Sequence, residues 1–89
     1  MDHIRHAAHG EVVRRLKRAE GHLHSVIAMV EGGRPCLDLA QQLHAVEKAL
    51  ANAKRELVQT HIDHCLDRAV EDGRAEAALE EVRAIVKHL

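Results

Sequence analysis

The sequence contains no Phe, Tyr or Trp. Without an aromatic anchor, any core has to be built from Leu, Val, Ile and Ala, as it is in helical bundles. Only one proline and five glycines interrupt the 89 residues, and the expectation is an all-α fold. Long hydrophobic runs are also missing. No apolar stretch approaches the roughly 20 residues that span a bilayer, and no signal-peptide core is visible. The chain is therefore expected to be cytoplasmic, with no membrane partner. Strong charge of one sign is absent too: the net charge is −1 with the histidines neutral. Bulk charge does not advertise nucleic-acid binding, so any DNA contact must come from a local patch. Cysteine is scarce, with two residues, Cys36 and Cys65. Structural disulfides are rare in the cytoplasm, which leaves reduced thiols available as ligands or redox sensors.

What is present is histidine, nine of them, in a chain short enough for a single domain, 1–89. A chain of this size buries a thin core, and many such chains need a metal or oligomerisation to hold together. Residues 1–9, "MDHIRHAAH", hold His3, His6 and His9 and read as an arm or a fraying helix start. From Glu11 the spacing predicts a helix with Val12, Leu16, Leu23, Ile27 and Val30 as its apolar side. Gly21 falls inside it and is expected to permit a close contact. "EGGRP" (31–35) ends this helix, because glycine supplies the left-handed cap and Pro35 is tolerated at or before a helix start. A second helix is expected from Cys36 to about Val70, with Leu39, Leu43, Val46, Leu50, Ala53 and Leu57 buried. About 34 residues make a rod of about 50 Å, too long to pack on the first helix alone. "EDGR" (71–74) closes it. A third helix over about 75–88 uses Leu79, Val82, Ile85 and Val86.

The chemistry concentrates in "THIDHCLD" (60–67). His61 and Cys65 stand at i and i+4 on one helical face, a pair able to hold a soft metal but short of a third ligand. Cys36 lies 29 residues before Cys65, about 43 Å away along a continuous helix. That distance excludes both a disulfide and a shared metal ion within one chain. An antiparallel second copy removes the obstacle, bringing Cys36 of one subunit to His61 and Cys65 of the other, with the site repeated by two-fold symmetry. The same residues also fit two small, inert, buried cysteines. His64 neighbours Cys65 about 100° around the helix, which makes it a less natural ligand than His61.

"RRLKRAEGHL" (14–23), "GRPCLDLAQQLHAVEKALANAKRELV" (33–58) and "HIDHC" (61–65) together resemble the copper-sensitive operon repressor (CsoR) family, which includes nickel/cobalt and formaldehyde sensors. The resemblance covers nearly the whole chain, with the basic stretch, the single Cys and the HxxxC in the family's order and spacing. It implies an all-α, three-helix chain whose antiparallel dimers pair into a homotetramer. It also implies repression of transcription by the apo form and release of operator DNA on inducer binding. Cys36, His61 and Cys65 match the family's copper(I) triad, and soft thiolate and imidazole donors suit that ion. Glu81 falls where copper-sensing members place a carboxylate against the far nitrogen of the liganding histidine; by sequence alone it is equally a solvated residue of the third helix. Pro35 is a departure, because copper-sensing relatives often carry a Tyr there. Nickel(II) or cobalt(II) sensing would recruit an N-terminal histidine, His3, His6 or His9, and those members usually have His where this chain has Cys65. Formaldehyde sensing would need only the Cys36 thiol.

For DNA, the candidates are Arg14, Arg15, Lys17 and Arg18 in the first helix and Lys54 and Arg55 in the second. Unaided, these read as a solvated face. The resemblance implies phosphate contacts, Arg15 and Arg55 above all. An enzymatic role through a Cys–His pair is disfavoured, since no oxyanion loop is visible and a thin bundle leaves little room for a substrate. A plain helical interaction protein with inert cysteines is the third class.

Overall fold

The computed structural model describes residues 3–89, with side chains described from residue 9 onward except at 65, 69, 70 and 72. Three helices follow in order: α1 (His3–Glu31), α2 (Cys36–Asp72) and α3 (Ala75–Val86). No strand occurs among the described residues. The first helix starts earlier than the expected Glu11. Gly10 does not stop it, so most of the histidine-containing arm continues α1. The second and third helices match their expected spans within two residues at each end.

The turn between α1 and α2 is built by Gly33, at φ +73°. Gly33 N donates to Val30 O at 3.1 Å and Arg34 N to Met29 O at 3.1 Å, the paired bonds of a Schellman cap. Pro35 follows, and its carbonyl accepts the first bond of α2, from Leu39 N at 3.1 Å. Proline thus stands where a helix has no use for its missing N–H. Gly73, at φ +70°, ends α2 in the same left-handed conformation. The next bond, Ala78 N to Arg74 O at 3.1 Å, belongs to α3.

α1 and α3 both pack on α2, and not on one another among the described residues. The result is a thin plate, 57 × 25 × 13 Å. Its α1–α2 seam is narrower than the leucine pattern suggested. The buried residues are Val12, Ala19 and Val26 on α1 and Val46 and Ala53 on α2, each set repeating every seven residues as in a coiled-coil seam. Small side chains occupy this line because the two helices approach most closely there. Leu16, Leu23, Ile27 and Val30, expected to be buried, are 40–54% exposed, and Leu43, Leu50 and Leu57 are 38–44% exposed. On α3 the buried residue is Ala78, while Leu79 and Val86 are about half exposed. A β-carbon on Gly21 would meet nothing within 4 Å, so the close contact expected there is not made within the chain.

At about 100° per residue, the exposed leucines of α1 and α2 fall on one flank of the seam. Arg15, Arg18 and His22 of α1 and Gln42, Ala49 and Asn52 of α2 fall on the other. The plate therefore has an apolar face and a polar, basic face.

Candidate metal centre and basic cleft

His61 sits in the last third of α2, opposite α3. Its Nε2 lies 2.7 Å from Glu81 Oε1. An ionised carboxylate only accepts hydrogen bonds, so the ring proton of neutral His61 belongs on Nε2 and the Nδ1 lone pair is left available. The imidazole is 22% exposed. Folding thus fixes one ring nitrogen by a neighbouring carboxylate and leaves the other as a donor, the usual arrangement of a metal-ligating histidine. Cys36 opens α2 as a free, exposed thiol. It is 25 residues from His61, so on a regular helix the two point to the same side within about 20° while standing about 37 Å apart.

Among the described residues no three His, Cys, Asp or Glu side chains converge on a point where a metal ion could be held. Cys65 lies in α2 four residues beyond His61, but its side chain is outside the described residues, as are those of His3 and His6. His9 is exposed and His64 half-buried. The donors nevertheless fit a soft metal in type, thiols and an imidazole with a fixed tautomer. Within one chain, the separation of Cys36 and His61 prevents them from sharing it.

The basic residues divide between two clefts. Arg15, Arg18, Ala19 and His22 of α1 face Ala49 and Asn52 of α2 across a cleft of about 250 Å³. Arg55 Nη1 donates to Asn52 Oδ1 at 3.2 Å, which attaches it to the same face. His22 Nε2 lies 2.7 Å from Gln42 Oε1 and ties α1 to α2 beside the cleft. Arg15 Nε, 3.4 Å from Glu11 Oε1, is buried without a hydrogen-bond partner. Arg14 is paired with Glu11 as well, and this guanidinium, with Arg15 and Arg18 adding their charge, holds the Glu11 carboxyl below its ordinary range. Lys17 is two positions from Arg15, about 160° around α1, and does not line the cleft. Lys54 turns to the other side of α2, where its Nζ donates to the His88 carbonyl at 3.0 Å. There it lines a second cleft of about 370 Å³ with Arg55, Val58 and Ile62.

Sequence reasoning had not found His22, Gln42, Asn52 or the Lys54–His88 contact. The signal was the antiparallel register about the Gly33 turn, which places residue 22 level with residue 42 and residue 15 level with residue 49.

The family described as metal-sensitive transcriptional repressor matches residues 8–88. The chain belongs to that family. The curated relatives that it matches are transcriptional repressors, not enzymes. A copper-sensing transcriptional repressor CsoR of Mycobacterium ulcerans is 42% identical over 73 residues, 82% of this chain and 62% of that protein; the chain thus spans about three fifths of this relative's length. The copper-sensing transcriptional repressor RicR of Mycobacterium tuberculosis is 34% identical, covering 93% of this chain and 95% of the relative. Among solved structures, the nickel-responsive transcriptional regulator InrS superposes with a TM-score of 0.82 at 34% identity, covering 89% of each chain. No helix among the described residues is long and apolar enough to cross a membrane.

Proposed function

We propose that this chain is a DNA-binding repressor that releases its operator on binding metal, with copper(I) as the inducer. The observation that carries the reading is the His61–Glu81 pair, because it orients an imidazole with Nδ1 free on the side of α2 that also carries Cys36. A second copy, running antiparallel along the apolar face, would bring its Cys36 to His61 and Cys65 and complete a site of two thiolates and one imidazole. Leu16, Leu23, Ile27, Val30, Leu43, Leu50 and Leu57 supply the surface for that copy, since so large an unpartnered apolar face on a small chain calls for cover. Copper(I), bound there, would supply a soft cation joining two subunits.

Arg15, Arg18 and Arg55, with Arg14 flanking, serve as phosphate contacts, while Lys17 on the far side of α1 adds only its charge. Paired dimers forming a homotetramer repeat this patch four times, which lets a chain of near-zero net charge bind DNA. A repressor works where the DNA is, which places the chain in the cytoplasm. Relatives that sense copper support the choice of metal.

Nickel(II) or cobalt(II) is the second reading. It is favoured by the helical start of α1 at His3, which in the antiparallel register stands level with His61, and by the nickel-responsive structural neighbour. The test is to titrate copper(I) and nickel(II) separately into a complex of the apo protein with a genomic DNA fragment it selects. X-ray absorption on the two loaded proteins accompanies the titration. Copper-dependent release with two sulfurs and one nitrogen around three-coordinate copper is expected. DNA affinity that stays constant through saturation with both metals would falsify the repressor reading. Release by nickel alone, with added imidazole ligands, assigns the inducer to the second reading.

A further inference from the structure

Among the described residues, two polar rungs fasten α3 and the turn after it to α2. His61 meets Glu81 at 2.7 Å, and Lys54 Nζ meets the His88 carbonyl at 3.0 Å. Lys54 and His61 are seven residues apart on α2, two turns, so both rungs fall on one face of α2, while Glu81 belongs to α3 and His88 to the turn that follows it. Val58 and Ile62 of α2 and Val82 and Ile85 of α3 are all half-buried. His61 stands at the candidate metal centre. Lys54 directly precedes Arg55, which is bonded to Asn52 at the basic cleft.

We infer that Lys54 is a coupling residue that carries the state of His61, through α3, to the basic face. It rests on the metal-released repressor reading proposed above. An imidazole ligated at one nitrogen is a stronger donor at the other, so a ligated His61 holds Glu81 more tightly. α3 is a single short helix, and the turn after it is bonded back to it by His88 N donating to Ile85 O at 2.9 Å, so a shift at Glu81 is passed on to His88. The ammonium of Lys54 follows that carbonyl through the hydrogen bond between them. The backbone at residues 54 and 55 then moves as one turn of α2, changing where Arg55 points. Lys54 is bonded to the turn that follows α3, and its charge is directed away from the cleft lined by Arg15 and Arg18.

Lys54→Met and Lys54→Arg, as full-length proteins, test the inference. Operator affinity is measured with and without copper(I), the salt dependence of the apo complex is recorded, and amide hydrogen exchange over residues 82–89 is followed in the apo protein. Couplings of this kind are worth about 5- to 150-fold. Lys54→Met is expected to reduce the metal-induced loss of DNA affinity about tenfold and to speed exchange at residues 86–89. Lys54→Arg, which can still donate to the carbonyl, is expected to restore both. A Lys54→Met protein whose metal response equals the wild type's, with a shallower salt slope, puts Lys54 on a phosphate and overturns the inference. Unchanged hydrogen exchange at residues 86–89 overturns it as well. A wild-type protein that shows no metal-induced release fails at the repressor reading instead, which separates the two failures.

Discussion

Glu81 is the residue on which the metal reading turns. Its carboxylate, 2.7 Å from His61 Nε2, selects the tautomer that leaves Nδ1 free. Removing such a partner typically lowers metal affinity about 10- to 100-fold. Glu81→Ala should show a loss in that range by competition with a copper(I) chelator, while Glu81→Gln, which still accepts from Nε2–H, should lose less. Equal affinity in wild type and Glu81→Ala would remove this carboxylate from the site. Glu11 offers a pH test. Its carboxyl is held low by the Arg14 hydrogen bond first and then by the charges of Arg14, Arg15 and Arg18. A carboxylate with a depressed folded pKa contributes stability above its unfolded pKa and loses it as pH falls through the folded one. Glu11→Gln should therefore be slightly less stable than wild type near neutrality. The two melting curves should converge as the pH drops below the ordinary carboxylate range, and a constant gap down to acid pH would show that the ion pairs add nothing.

The elements owe their arrangement to a few small residues. Val12, Ala19, Val26, Val46 and Ala53 form the seam between α1 and α2, and Ala53 is fully buried. Overpacking such a line costs about 1–3 kcal/mol, so Ala53→Leu should lower the unfolding free energy by that amount in urea titrations. A change much below this would mean that the two helices are not in close contact at Ala53. Spacing puts Val12, Val46 and Ala53 on the buried side, where they are, but puts the leucines beside them there as well, because hydropathic spacing gives the angular position of an apolar stripe without its centre. In the folded chain the centre of the stripe is the alanine and valine line. The larger leucines are left on its shoulder, available to a second copy. Gly33 and Pro35 were legible from composition, because a left-handed cap and a helix start admit few other residues.

On the scale of the whole molecule the question is how a chain with a net charge of −1 holds DNA. The plate segregates its surfaces, with Arg15 and Arg18 across a cleft from Asn52, to which Arg55 is bonded, and leucines on the opposite face. Binding through such a patch should weaken steeply with salt, and the slope should fall by about 0.9 for each phosphate that is no longer neutralised. Arg15→Ala should reduce both operator affinity and that slope while leaving copper(I) affinity within a few-fold. Unchanged DNA affinity at fixed salt would place the interface on another face. Sedimentation of the apo protein is the companion measurement, and a monomer at micromolar concentration would leave the apolar face without its proposed occupant.

Local chemistry was readable in the chain itself. Apart from the start of α1, the helix spans follow from spacing and from Gly33, Pro35 and Gly73, and the separation of Cys36 from Cys65 follows from helical rise alone, which already excluded a site within one subunit. The sequence also marked His61 and Cys65 as an incomplete ligand pair. Only the tertiary structure decided which ring nitrogen of His61 is bonded, because Glu81 comes from a different helix, 20 residues away. It alone set Arg15 across a cleft from Asn52, turned Lys54 toward α3, and separated the buried seam from the leucines beside it. Rise and periodicity are properties of one helix. Contacts between helices depend on their register and on how closely their backbones approach, and no single stretch of the chain carries that information.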